Sequence, residues 1–281
     1  MLDASTLSFL APCFAASLIL AGIHAYLGVH VVERGVIFVD LSLAQIAALG
    51  ATIALLMPFS NGDPHAPVVY WISLAFTFMG AFIFSTIRSK RARIPHEAII
   101  GICYAVASAA AILAMSKATS ESEHLKDMLV GNILAVSWPE VGKTAALYGA
   151  IGLFHYVFRK KFLAISMDHA KAEASGLNVK FWDFLFYASF GFVVTSSVSI
   201  AGVLLVFSYL IVPSVAAMLY ADTIGKRLAI GWTMGTVVSA LGVFLSLKVD
   251  LPTGATIVCT FGLVLIIMAA VRPLIQRHAV S

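Results

Sequence analysis

Three polar side chains stand close together in an otherwise apolar stretch, VDLSLAQIAALG: Asp40, Ser42 and Gln45. A carboxylate, a hydroxyl and a carboxamide are oxygen donors of the kind that hold hard cations. Ionisable groups inside a membrane span are costly and are functional candidates by default. Asp40 is the one carboxylate set well within a predicted span. His24, within the preceding apolar run, adds a possible imidazole ligand. Asp40 and Gln45 are five positions apart, about 140° around a regular helix, so they do not share a face. A joint site therefore needs a helix distortion or a second helix. Oxygen donors suit Mn²⁺ better than Zn²⁺, which favours His and Cys. Other readings stay open: an Asp40–Arg34 pair near the interface, interhelical hydrogen bonds from Ser42 and Gln45, and His24 as a packing residue.

Elements must carry these residues. The chain has 281 residues, 60% hydrophobic and 11% charged, with a mean hydropathy of +0.97. A soluble domain carries roughly 25% charged residues. This chain has too little polar surface to face water and reads as an all-α polytopic membrane protein. A barrel needs short alternating segments with a polar interior, and the long unbroken apolar runs exclude it. A span takes about 20 apolar residues. Candidates are 7–31, 35–59, 68–87, 97–115, 141–158, 181–199, 201–220, 228–247 and 253–271, so eight to nine transmembrane helices are expected. Residues 128–138 are too short to cross. The N-terminus has no basic region before its apolar run, which reads as a retained span.

Basic residues set the orientation. Arg34, Arg88, Lys90, Arg91, Arg93, Arg159, Lys160, Lys161, Lys171, Lys180, Lys226, Arg227, Arg272 and Arg277 fall on one side. Lys117, Lys126, Lys143 and Lys248 fall on the other. This bias puts the N-terminus outside and the C-terminus in the cytoplasm. The net charge of +4 belongs to cytoplasmic loops, and no nucleic-acid binding is read from it. Cys13, Cys103 and Cys259 are far apart in apolar runs and read as free thiols. Residues 1–281 read as a single membrane domain with short loops.

Enzyme chemistry finds no motif. His96-Glu97 is followed by AIIG, so no HExxH zinc site forms, and there is no GxSxG serine. No GxxxxGK[ST] phosphate loop is present, so any use of ATP must run through another chain. A secondary transporter or channel is the rival reading, but it calls for an acid relay or an inverted repeat, and neither is visible.

The longest polar interval in the second half is 168–179, DHAKAEASGLNV. Its alanines favour helix, Gly176 supplies a stop and Leu177 an apolar knob. Asp168, His169, Lys171 and Glu173 make its polar surface. Such a helix between two spans is a handle for a soluble partner; the plainer alternative is an ordinary loop. Pro213, in LIVPSVAA, removes a backbone hydrogen bond in mid-span and is expected to kink or break the helix. Ser208, Tyr209 and Ser214 surround it. This segment is expected to line a path beside 35–59, or else to kink for packing alone. Glu97 complements the N-terminal dipole of its span, with a gating role as the alternative. His30 reads as interfacial, and His65 and His124 as outer-loop residues.

The segments MDHAKAEASGLNVKFWDFLFYAS, GVLLVFSYLIVPSVAAML, DLPTGATIVCTFG, LVGNILAVSW and EAIIGI together resemble the metal-ion permease family of bacterial ATP-binding-cassette importers. The resemblance implies a type II importer-like bundle that forms a homodimer around a translocation path in the bacterial inner membrane. It implies a cytoplasmic ATPase below, carrying the ATP, and an extracytoplasmic metal-binding protein above. The cargo would be zinc, manganese or iron, with no cofactor resident in this chain, and 168–179 would be the cytoplasmic coupling helix. The family's second span commonly carries an Asp and a His four residues apart. Aligned on Gly50, Gln45 takes the His position and Leu41 the Asp position, with Asp40 one residue earlier.

Overall fold

The computed structural model describes residues 4–60, 63, 66–87, 94–116 and 133–278. All regular structure among them is helical. In chain order the helices are α1 (Ala4–Glu33), α2 (Val39–Leu55), α3 (Pro67–Ile87), α4 (His96–Met115), α5 (Trp138–Val157), α6 (Arg159–Met167), α7 (His169–Ala174), α8 (Val179–Tyr220), α9 (Ile224–Val249) and α10 (Thr253–His278). Each of the nine predicted apolar runs overlaps one of these helices, and the run 35–59 shortens to the 17-residue α2. Six of them, α1, α3, α4, α8, α9 and α10, are long and apolar enough to cross a membrane, and α2 is a shorter apolar helix. Helix α5 is not among the six, because Glu140, Lys143 and His155 lower its hydropathy. His65, His124, the basic loop 88–93 and most of 128–138 lie outside the described residues.

The two runs read as 181–199 and 201–220 form one helical stretch of 42 residues, α8. Its 42 residues are about twice the number that one crossing takes. It is broken at Gly202, whose φ of 75° and ψ of 160° only glycine adopts readily. That point lies beside the boundary expected between 199 and 201. Pro213, expected to kink or break its span, does not break it and stays inside the helical run. Proline keeps a helical φ and removes only one hydrogen bond, and Ser/Thr hydroxyls nearby can take up the freed backbone groups.

The chain forms two compact units. One comprises residues 1–32, 130–152 and 200–281. Its helices meet through small residues, which let backbones approach closely where there is no water to drive association. Gly235 lies against Ala21, and Gly242 against Ile257. Trp232 Nε1 donates to the Gly22 carbonyl at 2.9 Å, tying α9 to α1. Tyr209 is fully buried, its ring edge-on to Phe261 and its hydroxyl 3.0 Å from Ser239 Oγ.

The other unit comprises residues 33–129 and 153–199. Helix α2 is held there by α3. Ser73 Oγ donates to the Ala47 carbonyl at 2.8 Å, and Gly80 leaves room for Leu43 and Ile46. Thr77 and Thr195 hydroxyls meet at 3.1 Å between α3 and α8. Phe84, Phe162, Phe186, Tyr187 and Phe190 form a fully buried aromatic core. Val106 and Leu113 on α4 stay exposed, an apolar outer face suited to lipid.

Gly28 marks the closest helix approach in the first unit: a Cβ there would collide with the Leu210 carbonyl oxygen and the Ser214 hydroxyl. Gly22, one and a half turns away, has open space around it. Gly28→Ala is expected to cost roughly 1–3 kcal/mol through overpacking. Gly22→Ala should stay within about 0.5 kcal/mol of the parent. Thermal unfolding of the purified protein in detergent distinguishes the two, and equal melting temperatures would remove the close approach.

Candidate functional site

The first turn of α2 carries Asp40 and Ser42, at positions where a helix N-terminus favours negative charge. Asp40 is 1% exposed and Ser42 fully buried. Asp40 Oδ1 and Ser42 Oγ are buried and have no hydrogen-bond partner among the described residues. Leaving such a group unmatched costs about 1–3 kcal/mol each. Glu97 comes up beside the same helix start. Its Oε1 accepts the Phe38 backbone N–H at 2.9 Å, and its Oε2 is a third buried oxygen without a partner among the described residues. Glu97 thus serves the N-terminus of α2 as well as sitting in the first turn of its own helix. Gln45 is half-buried one turn further on, and α2 is regular between them. The angular separation of Asp40 and Gln45 therefore stands, and no helix distortion joins them. Among the described residues no three His, Cys, Asp or Glu side chains are grouped to hold a metal ion by themselves.

Arg34 does not pair with Asp40. Its guanidinium Nη1 donates to Asp183 Oδ1 at 2.5 Å, its Nε donates to Ser166 Oγ at 2.9 Å, and its Cζ sits 3.9 Å above the Phe186 ring centroid. Asp183 is 1% exposed, so Asp40 is not the sole carboxylate buried in an apolar run. A buried charge needs a partner with good geometry, and Asp183 supplies it from α8. The signal in the sequence is FWDFLF, a lone carboxylate among aromatics that had to find a cation. Beside this cluster, His155 Nε2 lies 2.8 Å from Ser189 Oγ, and its ring stacks on Phe162.

His24 belongs to the first unit. It is fully buried, its Nδ1 donates to the Leu20 carbonyl at 2.8 Å, and its ring stands edge-on to Tyr148. Those are the contacts of a packed, hydrogen-bonded histidine. His30 is 1% exposed and lies edge-on to Tyr26. The hydroxyls around Pro213 are all engaged. Ser208 Oγ donates to the Leu204 carbonyl, Ser214 Oγ to that of Leu210, and Tyr209 meets Ser239.

The polar interval 168–179 contains a helix shorter than its full length, α7. Both of its ends are fixed by local chemistry. Asp168 is the N-cap, its carboxylate accepting the Lys171 N–H at 3.0 Å. At the other end Gly176 N–H bonds the Glu173 carbonyl at 3.0 Å and Leu177 N–H bonds that of Ala172 at 3.3 Å, with Gly176 at φ 83°. This is a Schellman stop, which needs the left-handed conformation at the glycine. Ala172 is buried, while Asp168, Lys171, Glu173 and Gly176 are exposed and His169 and Leu177 are half-buried. The segment is a polar, exposed knuckle capped at both ends.

A family model described as "ABC 3 transport family" matches residues 6–272, nearly the whole chain. The chain belongs to that family. It is 26% identical over 251 residues to the "Manganese transport system membrane protein MntC" of Listeria monocytogenes, covering 89% of this chain and 86% of that protein. It is 25% identical over 224 residues to the "Chelated iron transport system membrane protein YfeD" of Yersinia pestis, covering 76% of this chain and 75% of the relative. In fold it is similar to the solved structure "PsaBC from Streptococcus pneumoniae in complex with Fab", with a TM-score of 0.77 at 24% identity over 94% of this chain and 93% of that one. The chain is therefore the membrane permease subunit of an ATP-binding-cassette transporter.

The Asp168 cap makes a local prediction. Asp168→Ala should cost α7 about 1 kcal/mol, speeding amide hydrogen exchange at Lys171 and its neighbours by roughly fivefold. Unchanged exchange there would show that α7 does not depend on its cap.

Proposed function

We propose that this chain is the permease of an importer for a divalent transition-metal ion, manganese or iron before zinc. The observation that carries the choice of ion is the unpartnered pair Asp40 Oδ1 and Ser42 Oγ, with Glu97 Oε2 at the same helix start. Unmatched oxygens inside an apolar protein are destabilising unless a cation visits them. Hard oxygen donors favour manganese over zinc. Relatives named for manganese and for iron transport point the same way. Gln45 extends the polar surface of α2 one turn further. The ion is cargo, held briefly, and no resident cofactor is assigned to this chain. Ser208, Tyr209, Ser214 and Pro213 are assigned to the wall of the path in the first unit, and His24 to packing beside it.

In the same reading two copies of the chain assemble as a homodimer in the bacterial inner membrane, N-termini outside. The full chain acts as one permease domain. A separate cytoplasmic ATPase grips the knuckle at 168–179 through Asp168, His169, Lys171 and Glu173, while Gly176 and Leu177 fix its end. An extracytoplasmic binding protein delivers the ion. Closure of the ATPase pair pushes the knuckle and exchanges an outward-open arrangement for an inward-open one, with the free energy drawn from ATP on the partner.

Two experiments test this. Asp40→Ala should lower manganese uptake by about tenfold or more, the loss of an interaction worth roughly 1.4 kcal/mol or above, while co-purification with the ATPase is unchanged. Normal uptake would remove Asp40 from the path. Replacing 168–177 by a Gly/Ser loop of equal length should abolish co-purification of the ATPase while the chain still inserts. A bound, active ATPase after that replacement would sink the docking assignment.

A further inference from the structure

Arg34 occupies the link between α1 and α2, six residues before Asp40, and makes contacts that the transport reading does not use. Its Nε donates to Ser166, one residue from the end of α6 and two before the cap of α7. Its Nη1 donates to Asp183, four residues inside α8 and shortly after the Gly176 stop. Ser166 and Asp183 therefore flank the exposed knuckle on its two sides. One guanidinium holds both legs. The site is dry: Arg34, Ser166 and Asp183 are each less than a tenth exposed. Phe186 covers the guanidinium plane at 3.9 Å, and Tyr187 lies at 5.9 Å. From Arg34 the chain reaches α2 through a single turn closed by Val39 N–H to the Val36 carbonyl at 3.1 Å. Both legs of the knuckle are thus tied to Arg34, and a short turn joins Arg34 to the first turn of α2, where Asp40 and Ser42 sit.

We propose that Arg34 is the mechanical link of this permease: a positioning residue that carries movement of the 168–177 knuckle to the ion-binding end of α2. The planar fork suits this task, since it bonds two legs at fixed angles where a lysine would offer one point charge. Buried Nη2 has no hydrogen-bond partner among the described residues, so the guanidinium keeps a donor for a second arrangement of its neighbours. The proposal rests on the reading above that the knuckle docks an ATPase and that α2 carries cargo. It adds a specific route between them, through Ser166 and Asp183.

The test uses the assembled permease–ATPase complex with its binding protein in proteoliposomes, reading manganese uptake per ATP hydrolysed. Ser166→Ala keeps the ion pair and cuts only the tie to the leg before the knuckle. Uptake per ATP should fall by about fivefold or more, within the usual range for loss of coupling between sites, with ATPase co-purification and hydrolysis rate retained. An unchanged ratio overturns the proposal. The double variant Arg34→Met/Asp183→Leu removes both charges together, an exchange that buried pairs often tolerate. If it assembles and hydrolyses ATP but fails to import, the link stands. If it imports normally, the pair only balances charge and the proposal falls. Should the double variant fail to assemble, Ser166→Ala decides alone. Failure of the docking reading looks different: the Gly/Ser loop in place of 168–177 then leaves the ATPase bound whatever happens at Arg34.

Discussion

A cation buried among aromatic rings is the constraint on which one unit of this structure depends. Arg34 sits at a helix junction in an apolar chain, away from water. It is tolerable there only because Asp183 and Ser166 reach it and Phe186 covers its face. Taking away one partner of such a pair leaves an uncompensated charge, a loss of about 3–5 kcal/mol in buried sites. That requirement fixes the junction before α2, the end of α6 and the start of α8 against each other. The aromatic core around Phe162, Phe186 and Tyr187 closes over the same point.

The polar groups of the chain thus divide into three kinds. Some are satisfied inside the protein and hold it together, such as Ser73 on Ala47, Tyr209 on Ser239 and His24 on Leu20. Some are exposed on and around the short capped helix α7, where Asp168 caps the helix and Lys171 and Glu173 face out. A few are buried and unmatched: Asp40 Oδ1, Ser42 Oγ and Glu97 Oε2. The second kind suits an outside partner and the third a visiting cation. The proposed cycle draws on both. With no phosphate loop of its own, the proposed cycle takes its free energy from a partner that binds one arrangement better than the other.

Much of this was legible in the sequence, and the reasons are local. Apolar runs of about 20 residues report helices because a bilayer core leaves backbone groups no other partner. Gly176 and Leu177 announced a stopped helix because a helix end is set by residues a few positions away, while the Asp168 cap is supplied by the structure. What escaped was long-range or conformational. The partner of Arg34 lies 149 residues away, and no spacing rule reaches that far. Asp183 was passed over because its neighbours are aromatic and its run is apolar. The boundary read between 199 and 201 falls beside the non-helical Gly202, but the glycine's positive φ was not foreseen, and proline, the stronger local signal, drew a further break to Pro213 that the helix does not show. Glu97 was read from its own helix, but its clearest contact is with the start of another.

The central claim is that this membrane chain does not move its ion unaided and is driven through its exposed knuckle. The most direct measurement is manganese flux into proteoliposomes holding the purified chain alone, set beside vesicles holding the chain with its ATPase, binding protein and ATP. The account predicts accumulation only in the complete assembly. Sustained accumulation by the chain alone, down or against a gradient, would contradict it.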